Sequence, residues 1–293
     1  MTDIVDSHFH IWKQADLPWL VGPMLPRIFG PYEPLRRDYP VTEYLADCRP
    51  SGVTEAVYVQ ANWAPDRYLD EVAFVSQASD ESGFPIAIVG YADLLSGDAR
   101  PQFDALARNP RLRGVRMQLH WHDNPLYRFA SAPDLALDPR LMANVEALAD
   151  YGFNFDLQVF AGQMASAAQL AAACPRVTFV LQHAGMLEDL SPDGIALWRA
   201  GMALLASRPN IVSKLSGLGT FQRQNDPAQI AFIARETLAL FGADRCLFGS
   251  NFPIEKLWTS YAELIDAHRA AVPKAEHRAV FNDTARRVYR LAR

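Results

Sequence analysis

The chain has 293 residues, half of them hydrophobic, with 28 basic and 33 acidic side chains and a formal net charge of −5. That length allows a large buried core, and the mildly acidic balance excludes the basic footprint of a nucleic-acid binder. No apolar run reaches the roughly 18 residues of a membrane span, no basic-then-apolar leader opens the chain, and Cys48, Cys174 and Cys246 lie too far apart for a disulfide framework or a CxxC metal site. A cytoplasmic protein is expected, with a small-molecule substrate and neither membrane nor nucleic acid as partner.

In chain order, the first β-type run, 3–9, leads to His8 and His10. Side chains two apart on a strand share a face, so both imidazoles point one way. Neutral imidazoles suit either a divalent metal or the polarisation of a carbonyl. The connection 11–40 carries six prolines with Trp12, Trp19, Phe29 and Tyr32. It is too long for a plain turn and reads as a substrate lid, a decoration or an oligomer contact.

A helix over 41–49, a strand over 54–60, a helix over 66–82, a strand over 86–92 and a helix over 99–108 follow. The strand 113–119 sets Arg116, Gln118 and His120 on one parity, and a guanidinium suits a carboxylate or another anion. The long loop 120–138 holds Trp121, His122, Tyr127 and Arg128. Next come a helix over 139–151, a strand over 153–158 ending on Gln158, a helix over 162–173 and an apolar strand over 177–183 ending on His183. A helix over 192–207, a strand over 210–215 with Lys214, a helix over 227–241, a strand over 245–250 running into Asn251, a helix over 258–271 and a last helix over 275–291 complete the chain.

Eight β–α pairs, without a linker, repeat or composition shift, predict one α/β domain over 1–293, a closed (β/α)8 TIM-type barrel. Pro139, Pro192 and Pro227 each follow an Asp or Ser suited to an N-cap. Gly52, Gly83, Gly152 and Gly242 stand where left-handed C-caps are expected. The ends of barrel strands form the catalytic face, so His8, His10, His183 and Asn251 are candidate catalytic residues. The three histidines are also the candidate metal ligands. Arg116, Gln118, His120, Arg128, Gln158 and Lys214 are candidate substrate contacts. No nucleotide-binding glycine loop and no GxSxG elbow is present.

Val5-Asp6-Ser7-His8-Phe9-His10-Ile11-Trp12 resembles the first strand of the amidohydrolase superfamily. The later segments Arg113-Gly114-Val115-Arg116, Gln182-His183-Ala184-Gly185, Lys214-Leu215-Ser216-Gly217 and Phe248-Gly249-Ser250-Asn251-Phe252-Pro253 extend the resemblance over essentially the whole chain. They are similar to the branch that includes pyrone-dicarboxylate lactonase, sulfomuconolactone hydrolase and the fuconate and rhamnonate lactonases.

The resemblance implies a barrel that hydrolyses a lactone or a related ester or amide. His8, His10 and His183 would surround the scissile carbonyl, either holding a metal or polarising the carbonyl directly. The implied cofactor is none or one divalent metal, zinc or manganese. Members of the branch usually end strand 8 on an aspartate that binds metal or activates water. Here Asn251 stands in its place, and an amide takes no proton at pH 7. Gln118 and Gln158 stand where two-metal members carry a bridging side chain and a further histidine, so no binuclear centre is expected.

The base must therefore be His120, His122, Glu255 or one of the three clustered histidines. The expected activity is ring-opening of a small carboxylated or polyhydroxylated lactone, with Arg116 or Arg128 holding an anionic group. Barrels of this class commonly form homodimers. Two alternatives stand beside it: metal-dependent decarboxylation of an aromatic or enoic acid, and a barrel that has lost catalysis and serves as a binding protein, which Asn251 favours.

Overall fold

Short apolar runs with little alternation form strands that are covered on both faces, and the computed structural model, which describes residues 3–291, contains eight of them. These are β1 (Ile4–Phe9), β2 (Val53–Val59), β3 (Ile86–Gly90), β4 (Leu112–Val115), β5 (Asn154–Leu157), β6 (Phe179–Leu181), β7 (Ile211–Leu215) and β8 (Cys246–Phe248). Each pairs in parallel with the next in chain order. The sheet closes just beyond β8: Phe9 bridges Phe252, the Asn251 N–H donates to the His8 carbonyl at 2.7 Å, and the His10 N–H donates to the Phe252 carbonyl at 2.8 Å. The architecture is the (β/α)8 barrel the sequence predicts.

The helices are α1 (Pro18–Val21), α2 (Val41–Cys48), α3 (Tyr68–Ser82), α4 (Arg100–Ala107), α5 (Pro139–Ala147), α6 (Met164–Ala173), α7 (Pro192–Ala206), α8 (Pro227–Phe241), α9 (Tyr261–Ala271) and α10 (Thr284–Tyr289). The N-caps predicted before the three prolines are formed. Asp138 accepts from the Arg140 N–H, Ser191 from Gly194, and Asp226 from Ala228 and Gln229. Of the four glycines, Gly242 departs from expectation. Its φ/ψ of 75°/161° is not left-handed helical, because the chain leaves α8 directly into another tight turn, Ala243–Arg245.

Several strands are shorter than predicted, β4, β6 and β8 above all. Their last residues have left the sheet to line its mouth. After β6 the chain turns through His183 and Ala184 at φ 54° and 47°. The long final helix is also not found. A 3-10 turn at Lys274–Glu276 and a π turn at Ala279–Asp283 precede a short α10.

α10 closes the floor of the barrel. Its Ala285, Val288 and Tyr289 pack with the interior side chains Val5, Val57, Val89, Val180, Val212 and Leu247. The Asn154 amide, at the start of β5, donates to the Val288 carbonyl at 2.8 Å. Above this plug, Lys214 and Asp156 form a fully buried ion pair of 2.8 Å, and the Tyr289 hydroxyl donates to Asp156 at 3.1 Å.

Outside the barrel, Asp6 ties the first strand to the last. Its carboxylate accepts from the N–H groups of His8 and Ser250 and from the hydroxyls of Tyr44, Ser250 and Tyr261.

Candidate active site

A register shift between Asp6 and Phe9 lets both Val5 and His8 face the barrel interior, while Phe9 stacks outward on Tyr44 of α2 at 4.0 Å. His8, His10 and His183 come together at the mouth. The His8 ring centroid lies 5.1 Å from that of His10 and 4.7 Å from that of His183. His10 Nδ1 lies 2.7 Å from the Val59 carbonyl. A carbonyl only accepts, so Nδ1 carries the proton and Nε2 keeps the lone pair. His183 Nδ1 lies 2.9 Å from the Ser216 hydroxyl. Gly217, at φ +60°, makes room for that ring: a Cβ there would lie 2.6 Å from His183 Nδ1.

His10 and His183 line a cavity of about 110 Å³, with Arg116, Gln118, His120, Gln158, Thr220 and Asn251 around them. His8 is fully buried behind this wall, and neither of its ring nitrogens has a partner. The aromatic connection after β1 supplies the opposite wall through Trp12, Trp19 and Phe29. Trp19 is fixed by donating its indole N–H to the Ala61 carbonyl at 2.9 Å.

The site is electropositive yet its imidazoles are neutral. Burial and then the charge of Arg116 push His10 down to about 3. The same two causes act on His120, also to about 3. Burial lowers His8 and His183 well below the ordinary range, with Lys214 next in weight for His8 and Arg116 for His183. Arg116 is itself buried and donates to the Gln60 carbonyl and, at 3.5 Å, to Gln158 Oε1. Burial lowers it to about 10, so it stays charged at pH 7, and its hydrogen-bond partners are both neutral. Arg116 Nε, Gln118 Oε1 and His120 Nδ1 are buried without partners. Orphaned buried polar atoms are rare and costly, and these three share the parity read from the sequence of this segment.

Behind Asn251 stands Glu255, fully buried. Its Oε1 accepts from the Thr220 hydroxyl at 3.1 Å and from the Asn251 amide at 3.4 Å, and its Oε2 accepts from the Trp258 indole at 2.9 Å. All three partners are neutral. Burial pushes the Glu255 carboxyl up to about 7, and the three hydrogen bonds offset only part of that.

One expected substrate contact is placed elsewhere. Lys214 does not line the cavity; its ammonium is spent on Asp156 below the histidines. Arg128 lines the cavity, and it donates to its own loop's carbonyls, His122 and Asp123, and stacks on Trp121 at 4.7 Å. His122 turns away to Glu188 at 3.4 Å. Conversely, Thr220, Asn62 and Arg27 line the cavity unforeseen. Each sits in a βα loop, where no periodicity marks the inward side chains.

The donor set does not fit a metal. Among the described residues no group of three or more His, Cys, Asp or Glu side chains converges so as to hold one. Asn251 supplies an amide where a carboxylate would help, and the positive charges of Arg116 and Lys214 bear on the cluster. Such a field favours an electron-rich guest over a divalent cation.

A family model described as amidohydrolase matches residues 5–291. The L-fucono-1,5-lactonase of Burkholderia ambifaria is 30% identical over 311 residues, covering 100% of this chain and 97% of its own. Uncharacterized protein y4mH of Sinorhizobium fredii is 32% identical, with 98% of each chain covered. An amidohydrolase of Burkholderia multivorans, crystallised once with bound HEPES and once with bound zinc, superimposes with a TM-score of 0.82 at 27% identity, over 99% of this chain and 100% of that one.

Proposed function

Because the chain belongs to the amidohydrolase family, we propose that its barrel mouth opens a small carboxylated or sugar-acid lactone by attack of water on the ring carbonyl. The observation that carries this reading is the joint presence, in one cavity, of neutral imidazoles, a buried guanidinium whose hydrogen-bond partners are both neutral, and a carboxyl near neutrality reached through Thr220. The lactonase name of the Burkholderia ambifaria relative supports it.

Arg116 holds the substrate's carboxylate, an anion its burial demands. The carbonyl oxygen lies toward His183, which with Nδ1 accepting from the Ser216 hydroxyl carries its proton on Nε2, and this N–H and the positive field stabilise the developing oxyanion. Water gives a proton to Thr220 Oγ as that hydroxyl passes its own to Glu255 Oε1, and the water oxygen bonds to the carbonyl carbon. The tetrahedral intermediate collapses, the ring C–O bond breaks, and the ring oxygen takes up the proton. Lactone and water become one hydroxy acid.

The test is acid release from a panel of carboxylated and sugar-acid lactones. The wild-type kcat/KM is expected to climb about tenfold per pH unit up to about pH 7 and then level off, since Glu255 must be ionised to accept a proton. Glu255→Gln and Thr220→Val are each expected to lower kcat by about 100-fold or more. A panel without turnover, or a Glu255→Gln variant with unchanged kcat, rejects the proposal.

A further inference from the structure

The outer helices of a barrel meet water along one face, and that face ordinarily carries charge. α3 exposes Asp70, Asp80 and Glu81, α4 exposes Asp104, and α9 exposes Glu263 and Asp266. α6 and α7 differ. The exposed positions of α6 are Ala165, Gln169, Ala172 and Ala173. In the middle of α7, Arg199 leans aside to Glu236 of α8 at 2.8 Å. The other exposed positions there are Ala196, Leu197, Ala200, Ala203 and Leu204, with Leu197 55% and Leu204 47% exposed. The two helices pack closely: a Cβ on Gly201 of α7 would lie 2.5 Å from Met164 Sδ of α6. Together they leave an uncharged, apolar strip on the outside of the barrel.

The inner face of α7 is already committed. Trp198 is buried and donates its indole N–H to the Ala184 carbonyl at 2.8 Å, and Met202 and Leu205 are buried beside it in the helix. The ends of the strip are charged, and oppositely. Asp189 and Asp193 stand at the N-terminal end of α7. Arg208 stands just past its C-terminal end with Arg245, which donates to the carbonyls of Ala206 and Arg208. Among the described residues neither Asp193 nor Arg208 has an ion-pair partner.

These features are self-complementary. The Ala200–Gly201 bond is the midpoint between Leu197 and Leu204 and also between Asp193 and Arg208. Spacings of four, seven and four residues hold Asp193, Leu197, Leu204 and Arg208 to one face of the helix. A two-fold axis through that midpoint, relating two antiparallel copies of α7, sets each Leu197 against the other copy's Leu204 and each Asp193 against the other copy's Arg208. Ala196, Ala200 and Ala203 let the helices approach closely, and the antiparallel helix dipoles attract. A parallel pair would instead set Asp193 against Asp193.

We infer that the protein forms a two-fold homodimer through antiparallel packing of α7, flanked by α6, so that a second copy of this chain covers the strip. The inference is independent of the proposed reaction.

Sedimentation velocity of the intact protein over a series of concentrations tests it. The wild type is expected to pass from the mass of one chain to twice that mass as concentration rises. Ala200→Arg, which sets two like charges at the axis, should weaken the dimer by about 100-fold or more. Gln77→Arg, the same change of charge at an exposed position of α3, should leave the dissociation constant within about twofold. Asp193→Lys and Arg208→Glu should each weaken the dimer by about tenfold, and the double reversal should return it to within about threefold of the wild type. Circular dichroism checks that every variant stays folded. A wild type that remains monomeric at every concentration overturns the inference, as does a dimer that Ala200→Arg leaves intact. Single reversals whose losses add in the double variant, without recovery, overturn the antiparallel contact.

Discussion

Asn251 adopts φ 57°, a left-handed conformation that asparagine and aspartate tolerate better than other side chains. The backbone at this point could carry either residue, so the choice is one of charge. A second carboxylate here would sit against Glu255 Oε1, now 3.4 Å from the Asn251 amide. Two like charges at that distance cannot both ionise easily. Asn251→Asp is therefore expected to move the acid limb of the kcat/KM profile up by about one pH unit or more and to lower the rate at pH 7. A large gain in hydrolysis would instead mark a decayed site and return the chain to the binding-protein alternative. The histidines and Arg116, Gln118 and His120 were legible in the sequence because they follow apolar strand runs that end at the barrel mouth, although all of them but His8 lie just past the strands themselves. Glu255 was legible only as one of several candidate bases. Acidic side chains are usually solvated, and only the fold brings Thr220, Asn251 and Trp258 around this one. Lys214 misled for the converse reason: its strand position is inward, but β5 sets Asp156 beside it.

At the scale of elements, the apolar runs marked where strands exist and left their ends undetermined, because a strand ends where its neighbour stops pairing. The turn after β6 depends on one glycine of the next loop. Gly217→Ala would press a methyl against His183 Nδ1 and impose strain at φ +60°. Shifts of about 1 Å in reacting groups can cost about 100-fold, and a loss of that size in kcat, with the protein still folded by circular dichroism, is the expected result. Asp6 joins β1 to the segment after β8 through five hydrogen bonds. Asp6→Asn replaces an acceptor oxygen by a donor that must face several hydroxyl or N–H groups. Chemical denaturation should show a loss of about 2 kcal/mol or more. The final helix, expected to be long, is short and serves as a floor. Its apolar periodicity was visible, but its partner, the barrel interior, was not.

For the whole molecule, buried titratable groups act in opposite senses. His8, His10, His120, His183 and His268 are all held below their ordinary range by burial. The unfolded chain protonates them first, so each withdraws up to about 1.4 kcal/mol of stability per pH unit as pH falls below about 6.5. Asp6, Glu71 and Glu255 are raised by burial, the two glutamates to about 7. They favour the folded state as pH falls, until the unfolded carboxylates also protonate near about 4.5. The midpoint of thermal unfolding should therefore fall gradually from about pH 6.5 to about 4.5 and steeply below. A midpoint that stays flat down to pH 4 would contradict the buried neutral cluster.

The closure of the barrel also sets an order in time. Asn251, whose N–H bonds the His8 carbonyl, is translated more than 240 residues after His8. Until then the edge of β1 has no partner on its β8 side, and the floor supplied by α10 does not yet exist. A complete pocket needs the segment after β8 and α10, and so arrives only once both have been translated.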